Sequence, residues 1–330
     1  MKVKLSNSSV DKYNECSLCY DLHYNHGIRP IKNSSALVFG GVIDKAFNIL
    51  LINKDLQKAL DFFKKEWEKH KDAKNVIFYK TNEDIELVRY FGIEPESDKI
   101  AWWSMFFTGK LLIEAYHKEV LPKIKKVFAV QEPITIKNPD GDEINGFLDL
   151  DVEWIDGKKY ILDNKTSKDL YDPNSNKKDQ PYGPNSAKES QQLPLYYFAK
   201  GYKHDGIGYI VLRKIINKNK IKKCKLCSAF NETTHKTCER ITKFTPGPKS
   251  RCNGEFDITI NPTVDIQYIF NQVEESDIDR VIETFDHVNY CISNGIFAEN
   301  HNPERGKFGY CPYKEYYEGN SDFIKKEKTL

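Results

Sequence analysis

Gly146-Phe-Leu-Asp149-Leu-Asp151-Val-Glu153-Trp-Ile-Asp156-Gly157-Lys-Lys-Tyr-Ile-Leu-Asp163-Asn164-Lys165-Thr166-Ser167 is the stretch whose reading decides the fold. Side chains alternate with the period of two that a strand imposes, so Leu148, Leu150, Val152 and Trp154 are expected on one face and Asp149, Asp151 and Glu153 on the other. Asp156-Gly157 marks the turn. If Ile155-Asp156-Gly157 form a three-residue loop with Gly157 left-handed, Trp154 faces Lys158 and Asp149 faces Asp163. Lys165 then lies two residues further along the same face as Asp163. A two-residue loop would set Asp149 against Asn164 instead. Directly opposed side chains stand about 5 Å apart at Cβ, where like charges destabilise, so facing carboxylates need a divalent cation or a shared proton. Two carboxylates and a lysine on one sheet face suit phosphodiester hydrolysis. Oxygen ligands take magnesium or manganese, and an ammonium orients the nucleophile or neutralises developing charge. The alternative is an ordinary alternating surface hairpin.

Outward from this hairpin the periodicity changes. Upstream, Val127 to Ile136 reads as a further strand, with a turn at Asp140-Gly141; the hairpin strands run from Ile144 to Ile155 and from Lys159 to Lys165. Before residue 126 the pattern is helical: Val10 to Asn25, Ser34/Ser35 to about Leu51, Asp55 to His70, and Asp98 to Val120 with Trp102, Trp103, Phe106 and Phe107 as core. Gly40 and Gly41 suggest that something packs close to the second of these. Downstream come a helix from Ser186 to Gly201, a strand from Ile207 to Ile216, a strand from Glu255 to Ile260 and, after Pro262, a final helix from Val264 to Ser293. No repeat, no Gly-x-x-x-x-Gly-Lys loop and no Gly-x-Gly-x-x-Gly loop is present, so nucleotide-binding folds have no support.

The chain has 330 residues, room for one large domain or two ordinary ones at roughly 150 residues per domain. With 30 % charged residues, 19 Tyr and 19 Phe, it is a globular and not a disordered composition. A polar start and the absence of a long uncharged apolar run predict a soluble, intracellular protein without a membrane partner. The net charge of +2 hides an uneven distribution. Lys214 to Arg251 holds eleven basic and two acidic residues, +9, which leaves −7 on the rest. A localised positive segment of this kind is the footprint of phosphate contact; the alternative is a solvated Lys-rich loop. The same segment carries Cys224-Lys-Leu-Cys227, Cys238 and Cys252. A Cys-x-x-Cys knuckle closed by two returning thiolates makes a structural zinc site, with His235 as substitute for Cys238. The expectation is a zinc ribbon set like a hairpin tip between two strands; four reduced cysteines in a loop are the alternative.

Taken in order, these residues resemble the PD-(D/E)XK nuclease superfamily, and within it the RecB-like and CRISPR-associated exonuclease branch. Gly40-Gly41-x-x-Asp44 is similar to the branch's Gly-x-x-His helix, Gln131-Glu132 to the acidic residue of its first core strand and Gly146-Phe-Leu-Asp149 to its Gly-x-x-Asp. Asp163-Asn164-Lys165-Thr166-Ser167 resembles its Asp-x-Lys-Thr-Ser, and Gln192-Leu-Pro-Leu-Tyr196 its Gln-x-x-x-Tyr. The resemblance covers most of the chain. It implies an α/β, restriction-endonuclease-like core: residues 1–125 as a helical N-terminal part, 126–216 as the catalytic sheet and helix, 217–254 as the zinc-ribbon insertion and 255–330 as the closing strand, helix and tail. It implies that Asp149, Asp163 and the Asn164 carbonyl hold Mg2+ or Mn2+, that Lys165 is catalytic, and that Gln192 and Tyr196 position the DNA or the lysine, with Gln191 as the alternative glutamine. Asp44 stands where the branch usually carries a metal-binding His and is expected as a third ligand; Glu132 is a minor candidate. Cys16, Cys19, Cys291 and Cys311 match in number the four cysteines of the branch's iron–sulfur cluster, but their two-and-two distribution departs from it, so reduced, partly buried thiols are expected, with a cluster or second metal as the alternative.

The expected activity is metal-dependent hydrolysis of DNA from its ends, in recombination, repair or viral genome processing, with a helicase or recombinase as candidate partner. The rival readings are a nucleic-acid-binding protein of the same fold without cleavage, for which Asp44 is the best argument, and a zinc-stabilised scaffold that recruits acidic partners.

Overall fold

In the computed structural model, which describes residues 5–94, 96, 98–137, 143–175, 180–224, 230–231, 256–298, 313, 319 and 324–326, the hairpin lies at the middle of a mixed sheet. The strand Glu143–Trp154 pairs antiparallel with Lys159–Ser167 through Leu150↔Leu162, Asp151↔Ile161, Val152↔Tyr160 and Glu153↔Lys159. The turn is the three-residue one: Trp154 N–H donates to the Lys158 carbonyl at 2.8 Å, Gly157 N–H to the Trp154 carbonyl at 2.9 Å, and Gly157 has φ +84°. Glycine is needed there because an L side chain is strained at that angle.

On its other edge Glu143–Trp154 pairs antiparallel with Ile124–Lys137, whose register slips twice between Ile124 and Ala129. Lys159–Ser167 runs parallel to Gly206–Arg213, which pairs antiparallel with Ile266–Asn271. The parallel step needs a crossover, supplied by the segment that contains the helix Gln192–Ala199. Alternation divides the sheet between two cores. Leu150, Val152, Tyr160, Leu162, Ile210 and Leu212 pack with the helices Ser35–Asn53, Leu56–Glu68 and Ile100–Ala115 through Phe47, Trp67 and Trp102. Ile161, Tyr209 and Val211 pack on the opposite face with Gln192–Ala199 and Glu275–Ser293 through Leu193, Tyr196 and Phe285. Leu148 joins this second core, although alternation groups it with Leu150. It lies beyond the last ladder pair with Lys159–Ser167, where the strand continues twisting with Ile124–Lys137.

The structure differs from the sequence reading near the C-terminus. Ile266–Asn271 is an edge strand, and the last helix begins only at Glu275, where Glu274 and Asp277 form a reciprocal capping box. Pro262 lies inside the strand Phe256–Thr263, which is tolerated because that strand is the outer one of a separate sheet on Asn217–Cys224. The helix Ser35–Asn53, with an 18-residue mean hydropathy of 1.7, is long and apolar enough to cross a membrane by length and composition. Its Phe39, Ile43, Phe47 and Leu50 are buried in the first core.

Candidate active site

The ladder between the hairpin strands ends at Leu150↔Leu162, and the next residue on each strand is an aspartate, Asp149 and Asp163, close enough for their side chains to interact. The consequence shows in the electrostatics. Burial, and then the charge of Asp163, push the Asp149 carboxyl up to about 8, with Lys165 acting in the opposite direction. Asp163 is 3 % exposed and ion-paired with Lys165, the next residue on its own face. Burial alone would pull the Lys165 ammonium down, but the Asp163 carboxylate beside it more than reverses this and its pKa is raised. Its Nζ also lies 5.8 Å from the ring centre of Tyr209, on the neighbouring strand opposite Asp163.

Asp44 reaches the same carboxylates from the helix Ser35–Asn53. Burial raises its pKa and Asp163 raises it further, while a hydrogen bond donated by Asn48 at 3.2 Å and the charges of Lys165 and Lys45 lower it. Nothing described lies within 4 Å of the Cβ positions of Gly40 and Gly41, so the close packing expected there is not found among the described residues. Asn164, of opposite parity to Asp163, turns to the first core, where the Tyr116 hydroxyl donates to its Oδ1 at 3.1 Å.

The helix Gln192–Ala199 closes the other side. Gln192 Nε2 donates to Asp149 Oδ2 and to the Tyr196 hydroxyl, each at 3.2 Å. Burial pushes the Tyr196 phenol up to about 12, so it stays protonated. Its ring crosses Gly146 so closely that a Cβ there would fall 2.8 Å from Tyr196 Oη, which gives the glycine of Gly146-Phe-Leu-Asp149 its physical reason. Gln191, the residue before this helix, has a buried Oε1 with no hydrogen-bond partner among the described residues.

Other candidates lie elsewhere. Glu132 pairs with Lys200, which also approaches Asp151 Oδ2 at 3.4 Å. Burial pushes Asp151 up, but hydrogen bonds and charge from His204, at 2.9 Å, and Lys200 outweigh it and the pKa is lowered. Glu153, the third acid of the alternating strand, pairs with Lys125. Three contributors were not singled out from sequence: Gln131, which donates to Asp149 Oδ1 at 2.7 Å, Tyr116 and Tyr209. Gln131 adjoins Glu132, and only the backbone geometry of its strand tells which of the two faces the site.

Cys224 ends the strand Asn217–Cys224, buried and opposite Phe256. Cys227, His235, Cys238 and Cys252 lie outside the described residues, and the zinc site with them. Cys16 and Cys19 share a small apolar cluster with Leu22, Ile28 and Tyr313. Cys291 lies on Glu275–Ser293 with its Sγ 3.7 Å from His287 Nε2, and Cys311 is outside the described residues.

A hard divalent cation fits the chemistry of Asp44, Asp149 and Asp163: oxygen donors, two of whose pKa values are raised by burial and then by the charge of Asp163. They do not form a closed cage. No group of three or more His, Cys, Asp or Glu side chains is already arranged around a metal position among the described residues. Asp163 is held by Lys165 and Asp149 by two glutamines.

A mixed sheet flanked by helices, with facing aspartates and a lysine beside them at its centre, defines a nuclease-type α/β core. A family model described as the PD-(D/E)XK nuclease superfamily matches residues 4–316, and the chain belongs to that superfamily. No curated protein matches the chain. Among solved structures it is similar to a candidate exonuclease from Eubacterium rectale, at 12 % identity and a TM-score of 0.43 over 90 % of this chain and 84 % of that one. It is also similar to the protein SSO0001, at 16 % identity and a TM-score of 0.26 over 68 % of this chain and 83 % of that one.

Proposed function

We propose that the chain is a divalent-metal-dependent deoxyribonuclease that degrades DNA from its ends, acting inside the cell in recombination, repair or viral genome processing beside a helicase or recombinase. The observation that carries the reading is the meeting of Asp149, Asp163 and Lys165 on adjacent strands, with Gln192 bonded to Asp149. Members of this superfamily typically use magnesium or manganese, and such a cation supplies a water of lowered pKa and offsets charge on the phosphate. The protein's part is positional. Asp163 and Asp149 present oxygen donors, Lys165 supplies positive charge beside them, and Gln192 fixes Asp149. The basic Lys214 to Arg251 segment supports nucleic acid as the substrate.

A second reading, nucleic-acid binding without cleavage, is favoured by Asp44 in place of the branch's histidine. End-labelled DNA incubated with magnesium or manganese, against EDTA and beside Asp163→Ala, separates the two. Divalent-dependent loss of label that vanishes in the mutant supports the nuclease and shows its polarity. Intact DNA with salt-sensitive binding supports the second reading.

A further inference from the structure

Gln131 lies inside the strand Ile124–Lys137, flanked by the ladder pairs Val130↔Leu150 and Glu132↔Leu148, yet its φ is +52°. Two of the other described non-glycine residues with positive φ, Lys54 and Tyr202, fall just after helices, where chain reversal explains the angle. No helix end or hairpin turn explains it at Gln131. A left-handed glutamine is strained, and such strain persists where the surroundings over-determine it, often at functional sites. The direct result is local: the amide Nε2 is brought to 2.7 Å from Asp149 Oδ1. Gln192 holds the other oxygen of the same carboxylate.

We infer that Gln131 is a positioning residue for Asp149, held in a strained backbone so that two neutral amides from two elements orient the carboxylate toward a divalent cation. This rests on the metal-dependent reading above. The choice of an amide has a physical reason. A carboxylate at position 131 would add a fourth acid to Asp44, Asp149 and Asp163, whereas an amide N–H lowers the repulsion. Each carboxylate oxygen has two lone pairs, so one hydrogen bond to each leaves both able to bind metal. Outer partners of metal ligands typically contribute 10- to 100-fold in metal affinity.

Gln131→Asn and Gln131→Gly test this. Both residues adopt positive φ more readily than glutamine; glycine has no side-chain amide, and that of asparagine is one methylene too short to keep the 2.7 Å bond to Asp149. Melting in EDTA, the manganese dependence of the melting temperature, and the manganese dependence of end-labelled DNA cleavage are measured for wild type and both variants. The expected result is a melting temperature in EDTA no lower than wild type. The manganese concentration for half the thermal shift, and for half-maximal cleavage, should rise at least tenfold. An unchanged manganese requirement in both variants overturns the inference. So does a fall in EDTA melting temperature that accompanies the loss, because that is a purely structural role. If wild-type protein shows the manganese shift but no cleavage, the nuclease reading fails while the role of Gln131 is still decided by the shift. If wild type shows no shift, both fail.

Discussion

Gly146→Ala should destabilise the protein and disable the site together, through one side chain. A Cβ built on Gly146 falls 2.8 Å from Tyr196 Oη, 2.9 Å from its Cε1 and 3.2 Å from its Cζ. Carbon atoms rest at about 3.5–4.0 Å, so the ring must retreat by roughly 0.5–1 Å. It has little freedom to do so. Tyr196 is 3 % exposed, and its hydroxyl is bonded to Gln192 and to the backbone of Phe147. Overpacking of this kind costs about 1–3 kcal/mol. The retreat also draws Tyr196 away from Gln192, whose amide holds Asp149 at 3.2 Å, so cleavage should fall as well. Tyr196→Leu removes the three colliding atoms, and in that background Gly146→Ala should cost little. Urea denaturation midpoints for wild type, both single variants and the double variant measure the coupling, expected at about 1–2 kcal/mol and favourable. Additivity within about 0.5 kcal/mol would refute the steric argument.

Other outcomes follow from the same structure. Lys165→Met leaves the 3 % exposed Asp163 without its cation among like charges; removing one partner of a fully buried pair typically costs about 3–5 kcal/mol, and with Lys165 31 % exposed the cost should fall below that range. The metal-free melting temperature should therefore fall, manganese should recover part of it, and cleavage should be lost; unchanged melting in EDTA counts against a buried ion pair. At Gly208 a Cβ would fall 2.4 Å from the Ile269 carbonyl oxygen, a backbone atom, so Gly208→Ala should separate the edge strand Ile266–Asn271 and markedly increase its hydrogen exchange. Burial, aided by Arg29 and Lys12, lowers His23 to about 4. The unfolded chain, with its ordinary value near 6.5, then binds more protons between pH 4 and 6.5. The contribution of His23 is full above about 6.5 and is lost as pH falls toward 4, so His23→Gln should flatten stability over that window; an identical slope in the variant sinks the assignment.

How far the sequence reaches is clearest at the hairpin. Alternation and a glycine at the one turn position that needs positive φ are local properties, and together they fix the register from Glu153↔Lys159 to Leu150↔Leu162 and the common face of Asp163 and Lys165; beyond that last pair Leu148 leaves the face alternation assigns it. The sequence reads one helix from Ser186 to Gly201, where the structure has two, Ser186–Glu189 and Gln192–Ala199, broken at the extended Ser190; the second carries Gln192 and Tyr196. The final helix was read eleven residues too early, from Val264 and not Glu275, because Ile266 to Asn271 is apolar enough for either period. Only the antiparallel partner strand Gly206–Arg213 makes it a strand. The capping box at Glu274 and Asp277 was the available local signal.

By itself, then, the sequence determined the hairpin, its turn and its register, because turn geometry and side-chain alternation act over a few residues. Tertiary structure alone decided what surrounds them. Glu132 and Gln131 are neighbours in sequence, but a backbone turned to φ +52° sends the glutamine to Asp149 and leaves the glutamate to Lys200. Asp151 shares the alternation of Asp149, yet His204 and Lys200, about fifty residues away, hold it in a separate buried cluster. Asp44 meets Asp163 across more than a hundred residues. Such partnerships depend on strand bulges, helix docking and desolvation, which are set by packing energies summed over the whole core and leave no periodic mark on the chain.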